Sequence, residues 1–320
     1  MKNVVALVPG GIGDQILFFP TLDDLKAHIP EVQIDVVVEP RAVAAYQLSA
    51  SVARVIPFDF KNRNALADWA NLIGTLRDAE YEAILSLGRS KAVRLLLWLT
   101  GIPKRVGFAR LNPLGLLTDA VPVNLDQYSA AVYHDLLKAF GITTPCPLPK
   151  AMLKPDDQAW AIAERQRLGV AESYRLLHGG SSQMALAKGI NKIYPPAAWV
   201  EVLQALQQQQ PDLPFIVACG PEDQAWVTAL SQALPQVRVT RPPDLGKLAA
   251  LMAQAQQILC TDSGPMHIGV AVGTPLVALF GPTDPAKLLP ADPRFRAIKS
   301  PTGNMADIPV SAVIQAACHG

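Results

Sequence analysis

Short apolar runs rich in β-branched residues alternate with segments of helical period along the chain, and one interruption divides that alternation in two. The interruption runs from Ile142 to Pro155 and contains Pro145, Pro147, Pro149 and Pro155. Proline has no N–H to donate and a fixed φ, so this stretch suits neither a helix interior nor a central strand and reads as a linker. A chain of 320 residues is long for one core and suits two domains of roughly 150 residues each. The expectation is one domain over residues 1–150 and a second over 151–320, with the last helix free to pack back on the first.

In the first half, strands are expected at Val4 to Val8, Ile34 to Val38, Arg54 to Ile56 and Ala83 to Leu87. Helices are expected up to about Ala27, near Arg41 to Leu48, from Ala65 to Arg77 and through Arg94. The rhythm restarts after the linker, with strands at Tyr174 to Leu177, Phe215 to Ala218, Val237 to Val239, Ile258 to Cys260 and Leu276 to Leu279. Helices there are expected at Pro196 to Gln209, Glu222 to Leu234 and Leu245 to Ala255. Runs such as Val36-Val37-Val38 are apolar without alternation, as strands buried on both faces of a parallel sheet are. The fold class is therefore α/β, with two βαβ domains in series. Ligands of such sheets bind just beyond the strand C-termini, so the two domains should face a ligand cleft.

Half the residues are hydrophobic and 17% are charged, which supports a large core. The formal net charge is +1, balanced between the halves, so bulk attraction to nucleic acid is not indicated. Cys146, Cys219, Cys260 and Cys318 stand far apart without a CxxC pair, which fits a reducing cytoplasm better than a zinc site or a disulfide framework. The start runs straight into a strand with no segment of signal-peptide length. The longest apolar stretch, around Leu95 to Leu99, is well short of the ~20 residues that span a bilayer. The expected location is cytoplasmic, with any membrane contact peripheral and at the inner face.

Three constellations could carry chemistry. Pro9-Gly10-Gly11-Ile12-Gly13-Asp14 joins the first strand to the first helix, and its glycines permit a tight turn and close approach of backbone amides to a ligand. A dinucleotide fingerprint would need a small residue where Ile16 stands, although Glu39 would serve as its ribose acid. Asp14 can cap the helix or act as a base, and the motif leaves both open. The second constellation is His178-Gly179-Gly180-Ser181-Ser182 with Lys188 and Lys192 beyond it. Small residues, hydroxyls and a lysine after a strand suit phosphate oxygens, and a solvated loop is the plain alternative. The third runs from Cys260 through Asp262, Ser263, Gly264, Pro265 and His267 to Phe280-Gly281-Pro282-Thr283-Asp284. There a helix start, capped by Ser263 or Asp262 and with Pro265 in its first turn, offers an anion site.

Taken together, these segments resemble the heptosyltransferase family, glycosyltransferase family 9, along nearly the whole chain. The resemblance rests on Gly11-Ile12-Gly13-Asp14 with Pro20-Thr21-Leu22, the Gly101 to Phe108 segment, the His178 loop, Lys192 before Pro195, Gly220-Pro221-Glu222, Asp262 to His267 and Gly281-Pro282-Thr283. It implies the GT-B architecture of two facing Rossmann-like domains, an acceptor-side one first and a nucleotide-sugar-binding one second. It also implies an inverting, metal-independent transfer of a heptose-like sugar from a nucleotide diphosphate sugar, an ADP-sugar being favoured. The acceptor would be a glycolipid or polysaccharide, as in lipopolysaccharide core synthesis. By similarity Asp14 is the base, and Lys192 meets the donor phosphate. Glu222 contacts the nucleoside, and Asp262, Ser263, Gly264 and His267, with Ser181 and Ser182, hold the donor. Two positions depart from the family: it often has His-Pro-Gly at His178-Gly179-Gly180, and a tryptophan where Tyr194 stands.

On the acceptor side, with Gly11 and Gly13, the stretch from Ala83 to Thr118 carries Arg89, Lys91, Arg94, Lys104, Arg105 and Arg110 and no acidic residue. A solvated helix face accounts for single members, while the group suits phosphates of an anionic glycolipid or a membrane surface. No Asp-x-Asp cluster stands near these loops, so no metal or other cofactor is expected. The rival readings are a nicotinamide-dependent oxidoreductase and a catalytically silent member that binds a sugar nucleotide within a biosynthetic assembly.

Overall fold

The structure is a computed structural model that describes residues 1–60, 65–112, 114–170, 172–180, 186 and 189–318. The chain divides into two compact units, Met1–Pro149 and Lys150–Gly320.

In the first unit β1 (Asn3–Val8), α1 (Ile12–His28), β2 (Gln33–Val38) and β3 (Arg54–Pro57) are followed by α2 (Leu66–Asp78), β4 (Ala83–Ser86), α3 (Lys91–Leu99), β5 (Lys104–Phe108), β6 (Asp119–Val121) and α4 (Ser129–His134). The strands form one parallel sheet in the order β3-β2-β1-β4-β5-β6. Val4 to Val8 and Val36 to Val38 are buried, as strands covered by helices on both faces must be. The segment expected as a helix near Arg41 is a 3-10 helix, Pro40–Leu48, with Pro40 setting its first turn.

The second unit contains α5 (Pro155–Arg167), β7 (Arg175–His178), α6 (Pro196–Gln209), β8 (Phe215–Ala218), α7 (Gln224–Ala233), β9 (Arg238–Thr240) and α8 (Leu245–Gln254). It continues with β10 (Gln257–Thr261), α9 (Gly264–Val272), β11 (Leu276–Phe280), α10 (Pro285–Leu288), β12 (Phe295–Lys299) and α11 (Val310–Cys318). Its sheet is again parallel, in the order β12-β11-β10-β7-β8-β9. Numbered from its own first strand, this repeats the order of the first sheet. Pro155, assigned to the linker by sequence, is instead the first residue of α5, the helical position that loses nothing by lacking an N–H. The last helix, α11, lies against α6, β11 and β12 of its own unit.

In each sheet the order reverses once, between β1 and β4 and between β7 and β10. Crossover connections leave in opposite directions at that point, so the loops beyond these strand ends splay apart and form a ligand crevice. The strands themselves need the core for their place: Leu177, Leu259, Val277 and Leu279 pack with Trp199, Leu206 and Leu230 of the covering helices. Each such buried aliphatic side chain contributes about 1.5–3 kcal/mol.

Candidate active site

At the first switch point the loop after β1 leads into α1, and Gly11 holds its N-cap position without a side chain to cap the helix. Asp14 takes over from the third helical position: its Oδ2 accepts from Gly11 N at 2.8 Å. Its other oxygen, Oδ1, accepts from the Tyr133 hydroxyl of α4 at 3.1 Å. Asp14 is thus a cap, and both its oxygens are also oriented. Burial, with the charge and hydrogen bond of Asp14 added, raises the Tyr133 hydroxyl far above its ordinary range; the nearby Arg89 charge opposes the shift. Tyr133 therefore stays a proton donor toward Asp14 at any working pH. Behind the loop, Gln15 Nε2 donates to Val8 O and Gly11 O, and Tyr46 donates to Gln15 Oε1, which fixes the strand-to-helix turn from within the core. Gly13 is the second residue of α1 and half-buried.

The cations expected on this side separate into two groups. Arg89 and Lys91, beyond β4, are exposed, as is Arg110. Arg94 is half-buried and donates to Leu111 O at 3.2 Å, which ties α3 to the following loop. Arg105 spends its guanidinium on the carbonyls of Leu116, Ile102 and Pro103, and Lys104 pairs with Asp119 at 3.3 Å, just past the acid-free stretch. A further cation went unnoticed in the sequence: the Arg41 guanidinium lies 3.9 Å from the point where a Cβ on Gly11 would stand. Glu39, which a dinucleotide site would use for the ribose, is buried.

The second switch point is built from paired, buried groups. Lys192 Nζ donates to Asp262 Oδ2 at 2.6 Å, and the Thr283 hydroxyl donates to the same oxygen at 2.6 Å. Lys299 in turn donates to the carbonyls of Gly281 and Thr283 and holds their turn in place. Asp262 is 3% exposed. Thr261 donates to Gly180 O at 2.7 Å, joining the loop after β10 to the loop after β7. The expected side-chain cap of α9 is absent: Asp262 is engaged with Lys192 and Thr283, and the Ser263 hydroxyl donates to Thr261 O at 3.2 Å. Gly264 and Pro265 open the helix, and the Ser263 side chain makes no cap bond to its first-turn N–H groups. His267 is buried within α9. Ser181, Ser182 and Lys188 lie outside the described residues.

Glu222 is exposed at the end of the β8 loop, and its neighbour Asp223 carries more of the architecture. Asp223 Oδ2 lies 3.1 Å from His178 Nε2 and accepts from Gly220 N at 2.8 Å. Burial pushes the Asp223 carboxyl up, but the bond to His178, the His178 charge and the Gly220 amide outweigh it and hold the group below the usual carboxylate value. A Cβ on Gly180 would stand 1.7 Å from Asp223 Oδ1, so only glycine fits where the backbone passes the acid. The two family departures also find an account. At Gly179 a Cβ would meet the Trp226 ring at 2.2 Å, so the bulk lost from position 179 is taken by that indole. Tyr194 is a core residue that donates to Ile308 O at 3.0 Å and meets Trp199 edge-on.

Tyr133 and Arg41 in the first unit and Lys299 in the second join their switch points through contacts that no local motif announces. Thr283 lay within the Gly281-Pro282-Thr283 motif, and Asp223, adjacent to Gly220-Pro221-Glu222 and at the start of α7, had the signal of a helix N-terminal acid. Among the described residues no group of three or more His, Cys, Asp or Glu side chains is placed to hold a metal ion.

A family model described as glycosyltransferase family 9 (heptosyltransferase) matches residues 69–315. Among curated proteins the chain is 25% identical to lipopolysaccharide heptosyltransferase 3 of Escherichia coli, over 85% of this chain and 81% of that one. It is 22% identical to the photosynthetic NDH subunit of subcomplex B 1 of Arabidopsis thaliana, over 98% of this chain and 72% of that one. Among solved structures, the family 9 glycosyltransferase of Veillonella parvula superposes with a TM-score of 0.84 at 20% identity, covering 99% of this chain and 96% of that one. An Escherichia coli heptosyltransferase solved with ADP-2-deoxy-2-fluoro heptose gives 0.77 at 19% identity, covering 99% of both chains.

Proposed function

The chain belongs to glycosyltransferase family 9 and is a heptosyltransferase-like glycosyltransferase; from that premise we propose that it transfers a heptose-like sugar from an ADP-sugar to an anionic glycolipid or glycan, with inversion and without a metal. One observation carries the reading. At the second switch point the Lys192 ammonium is fixed 2.6 Å from the buried Asp262 beside the uncapped start of α9, a cation and amide donors where a departing diphosphate needs them. The adenosine and heptose are supported by the ligand named for the Escherichia coli structure. The acceptor class is supported by the lipopolysaccharide heptosyltransferases among the relatives and by the exposed Arg41, Arg89 and Lys91 in the segments that follow β2 and β4.

In this reading Asp14 takes the proton of the attacking hydroxyl, whose oxygen displaces the diphosphate at the anomeric carbon in a single step. Gly11 N and the Tyr133 hydroxyl fix the carboxylate so that a remaining lone pair can point at the acceptor. Lys192, His267 and the α9 amides stabilise the charge that builds on the leaving ADP. The enzyme would meet its acceptor at the inner face of the membrane; among the described residues no helix is long and apolar enough to cross one.

Asp14→Asn tests the assignment, because the Asn side-chain oxygen can still accept from Gly11 N but the amide cannot take the proton. Turnover of ADP-heptose, measured in EDTA, is expected to fall by roughly 10² to 10⁴ while ADP affinity and melting temperature hold. An Asn variant with wild-type turnover would remove Asp14 as the base. The Arabidopsis relative is named as a subunit of an assembly, and a reading without turnover would hold if the wild type bound ADP-heptose and transferred it to no acceptor.

A further inference from the structure

A surface helix ordinarily buries one apolar stripe and shows water a polar face, and a helix apolar all round is a buried one. α3 breaks that rule. Val93, Leu96 and Leu97 point into the core of the first unit. The opposite side, where polar residues belong, presents Leu95, Trp98 and Leu99, which are 46%, 51% and 40% exposed. With Ala92 they repeat at the spacing of one helix face. The loop after β5 adds Leu111 and Leu114, 76% and 78% exposed, and Arg94 ties that loop to α3 through the Leu111 carbonyl. Isolated exposed leucines are ordinary, but one helix and the loop bonded to it together present five large apolar side chains.

The charges around this patch select its occupant. Lys91 lies one turn before Leu95 on the same face, Arg110 precedes Leu111, and both are exposed. Arg89 stands just before α3, and no acidic residue occurs from Ala83 to Thr118. Cations of one sign flanking an apolar face that carries a tryptophan suit a lipid headgroup layer, with the indole at the interface and the leucines among the acyl chains. We propose that the outer face of α3, with Leu111 and Leu114, is a docking surface for an anionic membrane. The surface adjoins the β4 end of the first switch point. If the proposed function holds, docking also brings a lipid-borne acceptor to the same end of the sheet; docking itself does not depend on that reading.

Flotation of the full chain with vesicles tests it. The protein should rise with phosphatidylglycerol/phosphatidylethanolamine vesicles and far less with phosphatidylcholine alone, and added salt should weaken retention. Leu95→Gln with Trp98→Gln should lower retention by about an order of magnitude or more, since two interfacial anchors are lost. Its melting temperature should not change, because both side chains are exposed. Arg110→Gln should weaken retention less, and Ile162→Gln, a lone exposed apolar residue on α5, should leave it unchanged. A wild-type protein that stays below the vesicles overturns the proposal, as does equal retention of the double variant. Self-association in sedimentation that the double variant abolishes would assign the face to a second copy of the chain and overturn it equally.

Discussion

The two units share a strand order and a switch point, yet they furnish that point in opposite ways. In the first, one half-buried carboxylate is held between a backbone amide and a tyrosine hydroxyl, with cations standing exposed around it. In the second, Asp262 and Asp223 are buried and paired with Lys192 and His178, and glycine backbone passes where no side chain fits. The first arrangement suits taking a proton from the hydroxyl of a variable substrate, and the second suits a fixed grip on one ligand. A fold supplies the place for chemistry, and the side chains beyond the strand ends decide which chemistry it is.

The largest effect that could break this contrast falls on the ion pair of the second unit. Lys192→Ala removes the cation and leaves Asp262 buried against Thr283 alone. Affinity for ADP should fall by about one to two orders of magnitude, equivalent to ~1.5–3 kcal/mol for a charge-assisted contact. Titration calorimetry showing unchanged affinity would take Lys192 out of the donor site. Next comes Gly180→Ala, which forces a methyl group onto Asp223 and should cost ~1–3 kcal/mol of stability, read as a lowered denaturation midpoint. A neutral result would mean that the second site is less rigid than its packing implies.

The smallest expected effect belongs to the first unit. Tyr133→Phe keeps the ring and its edge contact with Phe18 but deletes the bond to Asp14. A hydrogen bond to a carboxylate is worth about 1.5–3 kcal/mol, but the Gly11 amide still orients Asp14, so turnover should fall about fivefold with ADP affinity unchanged. Equal losses in turnover and thermal stability would mark Tyr133 as packing only.

Much of the fold was legible because buried parallel strands are apolar throughout, as at Val4 to Val8 and Leu276 to Leu279. The strands missed were β5, β6 and β12. β5 begins with Lys104 and Arg105, β6 is a three-residue edge, and β12 is an edge strand in which only Phe295 is buried and Arg296 to Lys299 are half-buried or exposed. An edge strand needs only one covered side, so it loses the continuous apolar signature. The site was legible where a motif sits on one loop, as from Asp262 to His267. It was not legible where the partner comes from afar: Tyr133 reaches Asp14 across 119 residues, and Asp223 reaches His178 across 45. Arg94 adds a contact the sequence does not announce, a guanidinium N–H that also bonds the Leu111 carbonyl.

The central claim is that the donor belongs to the second unit. Amide hydrogen exchange of the full chain with and without ADP tests it most directly, since each loop reports separately. Exchange should slow at residues 178–180, 219–223 and 261–267 and stay unchanged at residues 9–14. Protection at residues 9–14, with the three loops of the second unit unaffected, would contradict the account.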